Sequence, residues 1–504
     1  MFKTGLNTSL NTGMLTVFST VLFFTGCSQE SAETTTATEP AGAESAATNE
    51  GSAVDAAIAA LGMQDLNSIT YSGTAWRIRN SFMQTASASP PWPSRDDITN
   101  YTRTLDLTNL AQPVSLAKGE TFASNLFFAP PVAGTYTQTI PATQSAWGQQ
   151  LEVWLTPWGF LKAADSYDAI ETGQTLDNNP VTAVTWMSPV TQTSLSGMRY
   201  TVTGYINTQN QVERVETWVE DPFMGDMHVV ALYSDYTNFN GLMVPATMEQ
   251  QRGGGGIFGV SVTVASANPA NVAELLTPPA APAPGAPPAV PAAPPAELAQ
   301  QIGEGVYYIT GGYGSVAVEF TDHIAVFEAG QSEARGQQIL DEVKRIFPTK
   351  PIRYLINSHP HADHTAGMVP FVREGATIIT HANNVEFLNM ALSTPRTLLG
   401  QETLAPKFQA AEEVTVLEDA MTRLELHHIT NDHSDGMLVA YLPAQKILTQ
   451  ADFTLPQPGA MPNPFVVNLA EYVDAQGLDF EQYWGIHTAQ MPQTKADLMA
   501  TIGK

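Results

Sequence analysis

Four side chains able to ligate a metal fall within six positions, at His359, His361, Asp363 and His364, in the stretch Ser358-His359-Pro360-His361-Ala362-Asp363-His364-Thr365-Ala366-Gly367. In an extended segment side chains alternate with a period of two, so His359, His361 and Asp363 share a side while His364 projects differently. One segment can therefore serve two metal centres a few ångströms apart. Neutral imidazole suits zinc, and an added carboxylate suits a second, harder position. A polar loop ahead of a helix is the plain alternative, and it leaves the spacing unexplained.

The elements that must position this cluster can be read on either side of it. Residues 352–357 form an apolar strand pattern and the stretch through Arg373 a helical one. The cluster then sits on a loop at the C-terminal end of a strand, where open α/β sheets place their chemistry. Upstream, 305–310 and 315–320 read as strands around the turn Gly311-Gly312-Tyr313-Gly314, 323–328 as a third strand and 332–347 as a helix. Downstream, 376–380 is a strand closed by His381, near the same edge. Hairpins followed by βαβ units predict a mixed sheet with helices on its faces. A two-metal site needs more than four ligands, and three further residues stand at strand ends. His433 lies in the loop after 422–429, Asp452 after the hairpin 436–442 and 446–450, and His487 in Trp484-Gly485-Ile486-His487-Thr488. Each alone reads as a solvated loop residue.

From about 303 to 487 the chain resembles the metallo-β-lactamase fold superfamily. The signature His-x-His-x-Asp-His falls on His359, His361, Asp363 and His364, a later loop histidine on His433, the bridging acid on Asp452 and the final histidine on His487. The resemblance implies an αββα sandwich with a dinuclear site along its open edge. One metal would take His359, His361 and His433, the other Asp363, His364 and His487, with Asp452 between them. It further implies two Zn2+, with iron or manganese as the other ions such sites take. The expected reaction is attack on an ester, lactone, thioester or amide carbonyl of a small-molecule substrate by a hydroxide that the cations generate from a shared water. Asp363 is the expected catalytic proton carrier, from the water to the leaving group. The 311–314 hairpin with Tyr313 reads equally as a flexible lid over the substrate or as an ordinary exposed turn.

The chain departs from the family pattern in places. Many members carry Asp-x-Gly after the third strand, whereas this chain has Glu328-Ala329-Gly330, which leaves the role of that position open. Asp452 stands where the best-known antibiotic-degrading branch has a bridging cysteine, which favours sites like those of esterase, lactonase and thiolesterase relatives. His361 stands where the oxygen-reducing diiron branch has Glu, which favours zinc. The rivals are a mononuclear iron, sulfur dioxygenase-like enzyme using His359, His361 and either Asp452 or His433, a phosphodiesterase or nuclease on the same metals, and a lipid-anchored ligand-binding protein with a structural metal site. A structural zinc site is usually a closed four-ligand cage, unlike this set. Substrate contacts are expected on loops 383–408 and 454–465, which carry no readable motif.

The whole chain has 504 residues, more than one hydrophobic core usually supports, and 43% of them are hydrophobic. Its net charge of −27, from 49 acidic and 22 basic residues, argues against a nucleic-acid partner, because phosphate binding needs basic neutralisation. The one cysteine, Cys27, excludes an internal disulfide framework and a cysteine-rich zinc site. Lys3, an apolar run over 14–24 and Phe24-Thr25-Gly26-Cys27 read as an export signal and resemble the lipobox of bacterial lipoproteins. That resemblance implies cleavage before Cys27 and a lipid on its thiol, with Ser28 favouring the outer membrane, so the expected address is the cell envelope on the periplasmic side. Oligomeric state is not readable.

Five segments follow: a signal at 1–27, a tether at 28–52 too poor in bulky residues to fold, a β-rich domain at 53–276, a Pro/Ala spacer at 277–296 and the catalytic domain at 297–504. About half of residues 278–295 are proline, which removes backbone donors and gives a semi-rigid spacer. The β-rich domain opens with a helical pattern at 56–61, followed by alternating segments at 69–78, 199–207, 211–219, 228–236 and 260–265. This predicts a large, mostly antiparallel, curved sheet, and its order resembles the half-barrels of periplasmic lipoprotein carriers. Its one histidine, His228, reads as packed or surface-exposed rather than catalytic. Trp76, Trp154, Trp158, Trp186 and Trp218 read as core before groove. Gly253-Gly254-Gly255-Gly256 lacks the following Lys-Ser/Thr of a phosphate loop and reads as a turn.

Overall fold

The computed structural model describes residues 51–78, 95–122, 133–141, 146–279, 298–457, 460–487 and 491–504. The export signal, Cys27, nearly all of the tether and most of the Pro/Ala spacer lie outside the described residues. Among the described residues no helix is long and apolar enough to cross a membrane.

The β-rich domain is one eleven-stranded antiparallel sheet. Its first strand, Ser68–Ile78, and its last, Gly255–Ala267, pair in the interior, and the remaining strands meander outward on either side. Alternation sets which face is buried. In Thr201–Ile206, buried and half-buried residues follow with a period of two. Two helices absent from the sequence reading, Trp147–Trp154 and Pro157–Ser166, cover the sheet, with Thr156 capping the second and Pro157 at its first turn. Trp154, Trp158 and Trp186 are fully buried between these layers, so the tryptophans mainly build core. At Gly204 an added Cβ would sit 2.3 Å from the Phe160 ring, so only glycine lets that ring lie against the strand.

The second domain has two sheets packed face to face. The first, of seven strands, begins with hairpins and turns parallel from Ile324–Phe327 through Ile352–Ile356 and Thr377–His381 to Lys407–Ala411. The second has five strands, ending with Ile447–Gln450 parallel to Gln482–Gly485. Val316, Ile356, Leu426, Leu438 and Trp484 share one core between the sheets. Helices Glu333–Ile346, Met368–Glu374 and Ala382–Ser393 lie against the first sheet, and Pro464–Gln476 and Lys495–Met499 against the second. This is the expected αββα order of layers. The helix after the histidine cluster is broken into Ala362–Thr365 and Met368–Glu374 at Gly367, where an added Cβ would fall 2.0 Å from the Ala329 carbonyl oxygen.

Gly51–Lys504 form one compact unit, so the two domains do not hang separately from the spacer. The expected substrate loop 383–408 is instead a helix, Ala382–Ser393, followed by a strap that docks on the β-rich domain. Its apolar residues Phe387, Leu388, Leu392 and Leu398 are buried in a core shared by both domains, a role that composition alone does not distinguish from ligand contact. Asp226 accepts bonds from the Thr397 and Leu398 amides at 3.0 and 2.9 Å. Arg396, fully buried, donates to the Phe223 carbonyl at 3.1 Å and to that of Pro222. Removing a buried charged donor strands its acceptors at about 1–3 kcal/mol. Arg396→Ala is therefore expected to lower the unfolding free energy by that order in an equilibrium urea titration, seen as a lower midpoint, and an unchanged midpoint would mean the strap carries no stability.

Candidate metal centre

The strand Ile352–Ile356 delivers Asn357, Ser358 and His359 to the edge of the first sheet, and the buried Asn357 amide shapes the turn by donating to the His359 carbonyl at 2.8 Å. Ser358 Oγ is hydrogen-bonded to His359 Nδ1 at 2.8 Å, which turns His359 Nε2 inward. His361 stands at the N-cap of Ala362–Thr365 with its ring centroid 4.4 Å from that of His359. His433 sits in a turn whose amides at 433 and 434 donate to Asn431 Oδ1, with its ring against Phe465. Asp452 follows Ile447–Gln450, where the Gln450 side chain accepts the Phe453 amide at 2.7 Å. His487 follows Gln482–Gly485, so both arrive from parallel neighbours of the second sheet.

All seven residues singled out by sequence come together. Ligand atoms of His359, His361 and His433 lie within 4.8 Å of one another, as do those of Asp363, His364 and His487 and those of His359, His364 and Asp452. Asp452 lies between the groups: its Oδ2 is 3.2 Å from His359 Nε2 and 3.1 Å from His364 Nε2, and its Oδ1 is 3.1 Å from His487 Nε2. His381 ends the parallel neighbour Thr377–His381 at the same edge, as expected, where it caps Ala382–Ser393 and stacks on His428 at 3.9 Å outside the ligand groups.

Glu328 is the residue whose role the sequence left open. It is fully buried, accepts the Ser358 amide at 2.8 Å through Oε1, and accepts His364 Nδ1–H through Oε2. It thus orients the cluster strand and one imidazole together, with His364 Nε2 turned towards Asp452. Its backbone φ of 75° lies in the left-handed region, a strained conformation for Glu that tends to persist at functional sites. The 311–314 hairpin is no loose lid. Arg335 binds the carbonyls of Ile309, Thr310 and Tyr313, and the Gly314 amide bonds the Ile486 carbonyl at 2.8 Å. Tyr313 is held with its ring stacked on His487 at 4.2 Å and its hydroxyl interacting with Asp363.

The electrostatics fit cations. Burial, then the neighbouring imidazoles of His364 and His361, hold His359 well below its ordinary value, so it is neutral and ligand-competent. Burial would lower His364 too, but the Glu328 and Asp452 carboxylates outweigh it and hold it well above the usual range. Asp452, despite burial, is held well below the carboxylate range by His364 and His359. His364 Nε2 and His487 Nε2 are 2.9 Å apart and His359 Nε2 and His433 Nε2 3.3 Å apart, and at most one proton can lie between each pair. Asp452 Oδ2 is buried without a well-formed hydrogen bond. An all-nitrogen and oxygen set of this kind suits zinc, iron or manganese.

Access is one-sided. The side chains of His359 and His364 have no exposure, whereas Asp363 and His487 keep 24% and 21%. The centre is therefore open to solvent on the side of Asp363 and His487, next to Tyr313.

Residues 312–487 match the family model of the metallo-beta-lactamase superfamily. Among solved structures, the chain is similar to a metallo-beta-lactamase from Pontibacter korlensis, at 15% identity over 40% of this chain and 97% of that one, with a TM-score of 0.33. It is also similar to one from Hirschia baltica, at 17% identity over 40% and 94%, with a TM-score of 0.32. A stereoselective inverting sec-alkylsulfatase from Pseudomonas sp. is similar at 16% identity over 40% of each chain, with a TM-score of 0.31. A comparison with curated proteins finds no match.

Proposed function

We propose that this chain, whose residues 312–487 belong to the metallo-beta-lactamase superfamily, is a dinuclear zinc hydrolase acting on the ester, lactone, thioester or amide carbonyl of a small molecule. The observation that carries the reading is the convergence of five imidazoles and two carboxylates in three overlapping groups of ligand atoms. His359, His361 and His433 would hold one cation and Asp363, His364 and His487 the other, with Asp452 shared. Such a pair, when bound, polarises a carbonyl and brings the pKa of water towards neutrality. The protein's part is to place and move protons around it. Asp363, partly exposed, is the residue positioned to take a proton from water and deliver it to the leaving group. The Tyr313 hydroxyl fixes that carboxylate, and its ring covers His487 on the open side. Glu328 and Ser358 hold His364 and His359 by their outer nitrogens, which fixes the tautomers that present Nε2.

The proposed address is the bacterial cell envelope, with the folded part tethered through a lipid on Cys27. The activity is tested with a panel of aryl esters, lactones, thioesters and a chromogenic β-lactam, offered to full-length protein before and after removal of metal by a chelator. Turnover of at least one carbonyl substrate that disappears with the chelator and returns with zinc is expected. Oxygen uptake on a persulfide, without hydrolysis of any member, would overturn the reading.

A further inference from the structure

Away from the metal centre, a cavity of about 670 Å3 lies where the β-rich domain meets the strap after Ala382–Ser393. That volume is in the range of small-molecule sites. Its floor is the face of the large sheet on which Trp218 pairs with His228 and Glu216 with Val230 across neighbouring strands. The Trp218 and His228 rings stack at 4.6 Å and 16°, yet Trp218 is 37% exposed and the His228 side chain 41%. Met198 on one side and Met390 from the other domain are also exposed and line the same space. Methionine adapts its shape to a ligand, and an indole face offers a stacking platform.

The charge left over in the cavity is cationic. Glu216, beneath the stack, accepts from Tyr205 Oη at 2.7 Å, Arg214 Nη2 at 2.6 Å and His228 Nε2 at 3.2 Å. Burial would raise its pKa, but the bonds from His228, Tyr205 and Arg214 outweigh that and hold it at about 2, so it stays ionised and committed to these partners. Asp226, the one acidic residue of the lining among the described residues, accepts from the Thr397 and Leu398 amides and is outnumbered there by Arg199, Arg214 and Arg252. Among the described residues Arg214 retains a buried Nε–H without a hydrogen-bond partner, and Arg199 on the same lining binds only the carbonyls of Met187 and Ser188, which do not neutralise it. A cationic, aromatic-floored cavity in a chain of net charge −27 runs against the charge of its surroundings. We propose that this cavity binds a small aromatic anion, its ring stacked over Trp218 and its acidic group on Arg214.

The test is calorimetric titration of 2-naphthoate into full-length protein, with neutral 2-naphthalenemethanol as the comparison. One saturable naphthoate site is expected, with the neutral compound weaker by about tenfold or more, the scale of one lost charge-assisted hydrogen bond. Trp218→Ala and Arg214→Gln are each expected to weaken naphthoate by about the same factor. Met390→Glu, a change on the exposed opposite wall that leaves the Glu216 cluster intact, is expected to weaken it through charge repulsion. His361→Ala, in the proposed metal centre, leaves this binding unchanged. Absence of saturable binding, equal binding of the neutral compound, unchanged affinity in both Trp218→Ala and Met390→Glu, or loss in His361→Ala would each overturn the proposal. Failure here would leave the metal-centre reading standing, because the two sites share no residue.

Discussion

Replacing Asp452 by alanine is expected to remove at least one of the two cations and to reduce turnover by more than about a hundredfold. The scale follows from position. Partners that merely orient a ligand are worth about 10–100-fold in metal affinity or activity. Asp452 is closer than that: one of its oxygens is within 3.2 Å of His359 and His364, and the other is 3.1 Å from His487. Without it the two halves of the site share no anion, and five converging imidazoles are left with Asp363 as the remaining carboxylate among the seven. In the metal-free protein His364 and His359 hold the ionised Asp452 carboxylate well below its usual range, so the metal-free variant should unfold at a lower urea concentration. Metal analysis and urea titration on the same preparation separate the two effects. Two retained cations together with a lowered midpoint would make Asp452 a structural residue instead.

Changing Glu328 to glutamine is expected to weaken the cation held by His364 by about 10–100-fold, with the other half of the site less affected. The substitution keeps the length of the side chain and removes its charge. A glutamine can still accept either the Ser358 amide or His364 Nδ1–H through its oxygen, but its amide group faces the other with a donor. His364 then loses the partner that sets its tautomer. Competition for zinc against a chromogenic chelator reads this directly, as one weakened and one nearly unchanged step. Two unchanged steps would show that Glu328 acts only on the fold of the loop.

How much of this could be read beforehand differs from residue to residue. Four ligands lay within six positions, so their proximity was local and visible. His433, Asp452 and His487 were legible only as residues at strand ends. Their meeting with the cluster is a product of how the two sheets face each other, which a single sequence does not encode locally. Glu328 was hidden because its work is done by a side chain reaching from the strand Ile324–Phe327 to the next parallel strand. Tyr313 read as either lid or turn because the bonds that pin it come from Arg335, in a helix beyond the next two strands. The helix Ala382–Ser393 and the docking of the strap after it were not legible, since apolar residues that bind a ligand and apolar residues that dock on another domain have the same composition. In the β-rich domain the period-two strands were readable, but Trp147–Trp154 and Pro157–Ser166 were not. They are short and largely buried, so the polar stripe that marks an amphipathic helix is weak.

Elemental analysis of full-length protein, purified without added metal, tests the dinuclear centre most directly. About two zinc ions per chain are expected from the seven converging ligands, falling on His361→Ala substitution. No bound metal, or iron alone at one per chain, would contradict it.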